Sequence, residues 1–513
     1  MTALAPSLAA ACRRWADRPA ITFGPTTTTY AELGQGVARL AAAYRGLGIG
    51  PGDRVLCQLP TSPEHLLALN AAWAVGAVHV GADSDLTGPE LAWLAARTEA
   101  SALVCRPDPG AADAVIRAVR AAHPPTRVIP GGELAGLIDG GDGLDDWSPR
   151  HGPFDTAHLL LTSGTTGRPK AVMETLPACW AKMQFFADAF HPGPDDVHLL
   201  YLPVAHVFGL RLAMLGLLSG GRLVLCERFS PREALGLVAE HGVTVLPGTP
   251  AHLTLLLDAL DPARHRVGTL RWAISAAANL PGPLVEAVYG RLGVELLYVY
   301  GCSENFTVLT TDAAEIRRGS VGRRVFTGPA GTPPDGRVAV LEPGADTVLP
   351  AGAVGEIAFG AAHPVRYWKE ADAAAGGWYR TGDLGRVDPD GCVFVLGRLK
   401  ELVNRGGLHV SPSEVETAVR LHPGVADGAV VATPDPVLGE AICACVVPAA
   451  TAPPPDLAEL RGFLAPTLAR HKLPDELCLV EAIPRTKIGK VDRPALQAAV
   501  LARGDGRERW RPR

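Results

Sequence analysis

His158-Leu159-Leu160-Leu161 runs directly into Thr162-Ser163-Gly164-Thr165-Thr166-Gly167-Arg168-Pro169-Lys170. The apolar run reads as the end of a buried strand, and the nine residues after it as a phosphate-binding loop. Those nine hold four hydroxyls, two glycines and a terminal lysine. Glycines let a loop curl so that backbone N–H groups converge. Hydroxyls add neutral donors and lysine adds a point charge, a combination that suits a polyphosphate. The loop is not of the Walker A kind, which sets Lys directly after its second Gly and Ser or Thr directly after the Lys. Here Arg168 and Pro169 intervene and Ala171 follows. Lysine usage adds weight. Of 48 Lys plus Arg only seven are Lys, at 170, 182, 369, 400, 472, 487 and 490, which leaves 41 Arg. In a chain that favours Arg so strongly, a Lys closing a Gly/Thr loop points to a need for a compact charge.

Working outward, strand-like apolar runs alternate with Ala/Leu/Arg-rich helical runs through the first 300 residues. Examples are 54–59 followed by 63–74, and 222–225 followed by 231–241 and 243–246. This rhythm predicts α/β layers with parallel strands. From 331 to 397 short strands (337–341, 355–359, 392–396) are separated by Pro/Gly turns, which predicts a β-rich module. Beyond Gly397 a smaller α+β unit is expected, with helix 412–420, strands near 428–433 and 441–447, a Pro-rich loop at 452–455 and helix 456–470. The expected organisation is a core domain over 1–397 and a C-terminal domain over 398–513. A chain of 513 residues exceeds a single core, and 47% hydrophobic residues supply ample material for more than one.

Several function classes are disfavoured. A formal net charge of −5 argues against general nucleic-acid affinity. The longest apolar region, 66–82, contains Asn70 and His79 and is too short and polar for a membrane span. The N-terminus lacks the basic region of a signal peptide. Ten cysteines show no framework of spacings, and Cys443-Ala444-Cys445 alternates as a strand would. Free thiols in a reducing cytoplasm are expected, and no zinc site.

Four further motifs follow in order: Tyr300-Gly301-Cys302-Ser303-Glu304 after a strand at 295–299, Tyr379-Arg380-Thr381-Gly382-Asp383, Gly397-Arg398-Leu399-Lys400-Glu401-Leu402, and Pro484-Arg485-Thr486-Lys487-Ile488-Gly489-Lys490. With the loop, their order and spacing over 30–495 resemble the adenylate-forming superfamily: acyl-CoA synthetases, coumarate–CoA ligases, luciferases and peptide-synthetase adenylation domains. The resemblance implies a two-step reaction. A carboxylate and Mg-ATP give acyl-AMP and pyrophosphate, and a thiol then attacks the adenylate.

It also implies roles. Thr162, Ser163, Gly164, Thr165, Thr166, Gly167 and Lys170 would hold the β- and γ-phosphates. Tyr300, with Gly301, would stack near adenine, Ser303 would bond phosphate and Glu304 would hold Mg²⁺. Asp383 would accept the ribose hydroxyls, and Arg398 would support ribose or phosphates. Lys490 would bridge the substrate carboxylate and the α-phosphate. Lys400 would be the hinge of a rotating C-terminal domain, and Gly406-Gly407 would line a pantetheine tunnel. His206 matches an aromatic gate beside the acyl carboxylate. Val207 stands where amino-acid-activating relatives carry Asp, and a buried amine beside Val would be unpaired. The expected substrate is therefore a carboxylic acid without an α-amino group, in a pocket drawn from Phe208, Leu210, Leu246, Pro247, Ala276, Ala277 and Cys302. The expected acceptor is coenzyme A, the alternatives being a carrier protein's phosphopantetheine or a non-catalytic acyl or nucleotide sensor, against which Lys490, Glu304 and Asp383 argue. Three departures stand out: Ala171 for the usual Gly, Ser275-Ala276-Ala277-Ala278-Asn279-Leu280 for Ser-Gly-Gly-Ala-Pro-Leu, and Ser303 for Thr.

Overall fold

The structure is a computed structural model that describes residues 4–105, 112–162, 170–304, 307–326, 337–360, 365–370, 377–450, 452–486, 489–503 and 508–509. The phosphate-loop residues Ser163, Gly164, Thr165, Thr166 and Gly167 lie outside the described residues.

Two sheets carry the first 325 residues. One orders Arg127–Pro130, Ala102–Cys105, Arg54–Gln58, Val78–Ala82, Thr156–Thr162 and Lys170–Thr175, parallel except for the last pair. The other runs from Arg324–Val325 through Thr307–Thr310, Glu295–Gly301, Trp272–Ala276, Val245–Gly248, Val197–Leu200, Arg222–Leu225 and Pro19–Phe23 to Thr26–Thr29. Its interior is parallel and its edges are antiparallel. The helices Pro63–Ala74 and Val207–Leu218 are apolar around almost their whole circumference, the pattern of an inner layer. Pro63 opens the first of these, where its missing N–H costs nothing.

The expected β-rich module is a four-stranded antiparallel sheet of Val338–Leu341, Gly355–Gly360, Trp378–Val387 and Val393–Arg398. Beyond it, a sheet built on the hairpin Val425–Asp435 and Gly439–Pro448 separates two cores. Ile442, Ala444 and Val446 face one core, and Cys443 and Cys445 the other. That is the period-2 alternation of a strand buried on both faces. None of the ten cysteines forms a disulfide. Among the described residues no helix is long and apolar enough to cross a membrane.

The helix expected over 456–470 ends at Leu464. Pro466, two residues on, cannot donate to the helical ladder, and its ring crowds the preceding turn. The strand before Cys302 is longer than expected, Glu295–Gly301, so Tyr300 and Gly301 are its last two residues rather than part of the following loop.

The inner layer also buries a histidine chain. His79 Nδ1 lies 3.3 Å from His158 Nε2, and the His65 and His79 rings are 5.5 Å apart. Burial pushes His65 down to about 4, and burial followed by the Arg211 charge pushes His158 down to about 3. The fold thus refuses protons that the unfolded chain accepts below about 6.5. These groups contribute their full stability above that pH and lose it as pH falls toward the folded values. For His65 alone the loss is roughly 3 kcal/mol across the window. The urea midpoint should therefore be clearly lower at pH 5 than at pH 7, and equal midpoints would count against the neutral histidine chain.

Candidate active site

The C-terminal ends of the parallel strands Trp272–Ala276 and Glu295–Gly301 open onto a cleft of about 700 Å³. Its far wall comes from the helix Pro412–Val419 and the turn that carries Lys490. Among the expected site residues, Tyr300, Gly301, Ala277, Asp383, Arg398 and Lys490 all line it. A cleft at the carboxyl ends of parallel strands is the usual place for a ligand in such sheets, and this volume is ample for one of nucleotide size.

Three of these residues form one connected set. The Tyr300 hydroxyl donates to Asp383 Oδ2 at 2.7 Å, and Arg398 Nε donates to Asp383 Oδ1 at 2.8 Å. The Tyr300 ring lies nearly parallel to that of Phe359, with centroids 6.3 Å apart. Burial, with the Asp383 carboxylate beside it, holds the Tyr300 phenol well above its ordinary value, so it stays a donor. Asp383 and Arg398 are paired across neighbouring strands, which fixes the carboxylate at the cleft wall. A carboxylate oxygen has more than one lone pair, so Asp383 keeps capacity for a ligand diol.

Lys490 is presented by a closed turn. Thr486 N–H donates to the Lys490 carbonyl at 2.7 Å, Lys490 N–H to Thr486 Oγ1 at 3.2 Å, and Asp492 N–H to the Pro484 carbonyl at 2.8 Å. Burial, then the Arg398 charge, lowers the Lys490 ammonium below the usual lysine range. Such an ammonium is poised to gain from a bound anion.

The turn rests on the start of the helix Pro250–Ala259. Gly489 has φ +75°, and a Cβ there would lie 2.5 Å from Thr249 Oγ1. Thr249 cannot simply rotate away, because its hydroxyl caps that helix at His252. Gly489→Ala should therefore unseat Lys490 and lower the adenylation implied by the sequence resemblance by about tenfold or more, since left-handed strain and the clash each cost about 1 kcal/mol or more. The implied second step, thioester formation from supplied acyl-adenylate, should be little changed. An unaltered adenylation rate would show that this contact does not position Lys490.

Other expected residues sit beside the cleft rather than on it. Lys170 Nζ pairs with Glu370 Oε2 at 3.2 Å and lies 5.1 Å from the Tyr367 ring centroid. The Tyr367 hydroxyl donates to Glu304 Oε1 at 3.0 Å, so Lys170 and Glu304 meet at one tyrosine. Ser303 precedes Glu304 in the same half-buried turn, and Thr162 Oγ1 lies 3.5 Å from the Lys170 carbonyl. Glu370 and Tyr367 carry no local signal in the sequence and only packing reveals them. His206 occupies the N-cap position of the helix Val207–Leu218 without a side-chain capping bond, and its Nε2 lies 3.9 Å from Asp83 Oδ2. Val207, Phe208 and Cys302 are half-buried, and Ala276 is buried.

Two expectations need correction, and a third, for Gly406-Gly407, gains a second physical reason. Leu210 and Leu246 are packed in the main core at 0% and 1% exposure, because one lies on a helix that is apolar apart from Arg211 and the other on a central strand. Pro247 is equally buried on that strand. Ala277 does more than add a methyl: it adopts φ +75°, a left-handed conformation costing a residue with a Cβ about 1–2 kcal/mol. Gly406 and Gly407 are exposed at φ +60° and +86° and form the two-residue turn between Val403–Arg405 and Leu408–Val410. Both positive angles demand glycine for the hairpin itself, before any passing thiol arm is considered. Lys400 is exposed in the one-turn helix Leu399–Glu401, and its neighbour Glu401 pairs with Arg493 Nε at 2.6 Å.

Among the described residues no group of three or more His, Cys, Asp or Glu side chains could hold a metal. Magnesium bound to a nucleotide draws most of its ligands from phosphate and water and one or two from carboxylate, so a single anchored Glu304 suits it.

A family model for AMP-binding enzymes matches residues 8–366, and one for the AMP-binding enzyme C-terminal domain matches 414–490. A salicylyl-CoA synthase / salicylate adenylyltransferase from Streptomyces sp is 33% identical, over 96% of this chain and 93% of that protein. The fatty acid–[acyl-carrier-protein] ligase ScoC from Streptomyces coeruleorubidus is 32% identical, over 93% of each. Among solved structures, ATP-bound MatB from Rhodopseudomonas palustris superposes with a TM-score of 0.83 at 28% identity, covering 96% of this chain and 99% of that one.

Proposed function

The chain belongs to the AMP-binding enzyme family of adenylate-forming ligases, which activate an acid as its acyl-AMP, and from that premise we propose a specific activity. It joins ATP to a carboxylic acid lacking an α-amino group, then passes the acyl group to the thiol of coenzyme A. The observation that carries this reading is the convergence of Tyr300, Asp383, Arg398 and Lys490 on one cleft.

In the first step a carboxylate oxygen attacks the α-phosphorus, and pyrophosphate leaves. Two anions must approach, so the barrier is largely electrostatic. The Lys490 ammonium lies between them and offsets the charge that builds up on the α-phosphate. Asp383 holds the ribose hydroxyls and Tyr300 the base, so the α-phosphate is presented in one orientation. Lys170 exchanges Glu370 for the β- and γ-phosphates and steadies the departing pyrophosphate, with Ser303 donating to phosphate. Mg²⁺, held at Glu304, would supply further charge neutralisation on the leaving group. His206 closes the acyl side beside Val207. An α-ammonium there would meet an apolar side chain where amino-acid-activating relatives offer Asp.

In the second step the domain from residue 398 onward turns about Lys400. Lys490 withdraws, and the hairpin tip Gly406-Gly407 comes to the thiol's entry path. The acceptor has a second reading: ScoC is named for transfer to an acyl carrier protein, so a protein-borne phosphopantetheine is the alternative.

One assay separates these. The protein is given Mg-ATP and a panel of acids, pyrophosphate release is measured, and then CoA or a pantetheinylated carrier protein is added. Release with an acid, followed by acyl-CoA, is expected. Release followed by acylation of the carrier alone would replace CoA with the carrier, and no release with any acid would end the ligase reading.

A further inference from the structure

Behind the acyl side of the site lies a buried charge cluster that the two reaction steps leave unused. Lys182, on the helix Leu176–Phe190, is fully buried at 0% exposure, and its Nζ has no hydrogen-bond partner among the described residues. It is one of only seven lysines in the chain. Its charged neighbours are Arg211 and Glu174, and the thiols of Cys302 and Cys179 also face it. The Phe326 ring centroid is 5.2 Å from the ammonium, and that ring is itself buried. Arg211 Nη2 donates to Glu174 Oε1, while Glu174 Oε2, like Lys182 Nζ, has no hydrogen-bond partner among the described residues. Two cations thus stand against one carboxylate, and the nearby His158 is held neutral by burial. An ammonium in such a place costs several kcal/mol unless it is paired or loses its proton. Burial first and Arg211 second push Lys182 well below the ordinary lysine range, the direction expected of a cation lacking its partner.

The cluster adjoins the acyl side on two elements. Cys302 directly follows the cleft-lining pair Tyr300-Gly301. Arg211 lies four residues after Val207 on the same helix, hence on the same face. We propose that Lys182 is an anion subsite of the acyl pocket, and that the acid activated here carries a second acidic group remote from the carboxylate that is adenylated, making it a dicarboxylic acid. The inference rests on the ligase reading above. The second carboxylate takes the unpartnered Nζ as its donor and balances the surplus positive charge. Lys suits this task better than Arg, because a single rotatable ammonium can follow a carboxylate whose reach is set by the acid's skeleton.

The test uses the full chain and pairs of acids sharing one skeleton, aliphatic and aromatic. One member bears a second carboxylate, and in the other hydrogen or hydroxyl replaces it. Pyrophosphate release gives kcat/KM for each. The wild type should prefer the diacid by tenfold or more in the pairs it accepts. Lys182→Met should collapse that preference through the KM of the diacid, leaving the KM of the monoacid unchanged or lower. Lys182→Gln, which keeps a donor without the charge, should lie between the two. Melting temperatures report folding, and the Met variant should melt no lower than wild type, because it removes a buried unpaired ammonium. A wild type that prefers the monoacid or hydroxy acid in every accepted pair would overturn the proposal, as would a diacid preference that survives in both variants. Inactivity toward every acid would instead overturn the ligase reading itself, and the subsite with it.

Discussion

Lys490→Ala is expected to cut acid-dependent pyrophosphate release by roughly two to three orders of magnitude, the range for removing one preorganised charge from a polar transition state. Thioester formation from supplied acyl-adenylate should stay within about threefold of wild type. The asymmetry is the substance of the prediction. In this structure Lys490 lines the cleft with Asp383 and Arg398, the orientation that the proposed first step would use. Its ammonium is held below the usual lysine range by burial and by Arg398, so it gains most when a second anion arrives. That gain exists only while carboxylate and α-phosphate are together. Lys490→Arg should restore little, because a planar fork cannot replace a point charge between two closely approaching anions. The measurement is single-turnover: pyrophosphate from ATP plus acid in one experiment, acyl-CoA from synthetic acyl-adenylate in the other. If both fall by the same factor, Lys490 serves the fold or nucleotide binding in general, and its assigned part in bond formation is wrong.

What could be read in the sequence follows from how far apart the cooperating residues lie. The expected phosphate loop and the Lys490 turn are local readings, and of the loop only Thr162 and Lys170 lie among the described residues. The helices Pro63–Ala74 and Pro231–His241 match the ranges read from apolar runs with Pro at the start. The contact of Tyr300 with Asp383 spans 83 positions. No period or spacing predicts it, and only the order of motifs suggested that the two belong together. A local signal also decides the helix expected over 456–470, which ends at Leu464 because Pro466 cannot continue it. Gly406 and Gly407 suit close passage of a ligand, but the hairpin's two positive φ angles already require them. The cluster of Lys182, Glu174 and Arg211 was invisible for the opposite reason. A strand and two helices contribute one residue each, and each alone looks like an ordinary charged residue in an apolar stretch.

Lys400→Pro should separate the steps in the opposite sense from Lys490→Ala: the CoA-dependent step falls by about a hundredfold or more, while adenylation falls only a few-fold. Lys400 is exposed, so its side chain contributes little packing to lose. It occupies the middle of the one-turn helix Leu399–Glu401, whose φ is compatible with the ring's fixed value near −65°. The small first-step penalty comes from Leu399, which Pro at the next position discourages from helical angles. The present orientation is held by the contacts that surround this turn. Asn279 Nδ2 approaches Thr417 Oγ1 at 3.5 Å, and the Gly489 turn seats on Thr249, both joining residues on opposite sides of the pivot. Neither of these needs a donor from the Lys400 backbone, so the substitution leaves the first arrangement standing. Reaching the second requires the backbone at 400 to turn, and proline removes that freedom at φ. Lys400→Ala provides the control, since it deletes the charge and keeps the rotation, and should be close to wild type in both steps. Gly489→Ala, which loosens the first arrangement, should partly relieve the second-step defect when combined with Lys400→Pro only if the block is a matter of leaving that arrangement. If the ring itself forbids the second arrangement, the double variant should be poor in both steps. Should Lys400→Pro instead lower adenylation and acyl-CoA formation equally, with Lys400→Ala doing the same, the residue acts through its charge and the pivot must lie elsewhere in 398–402.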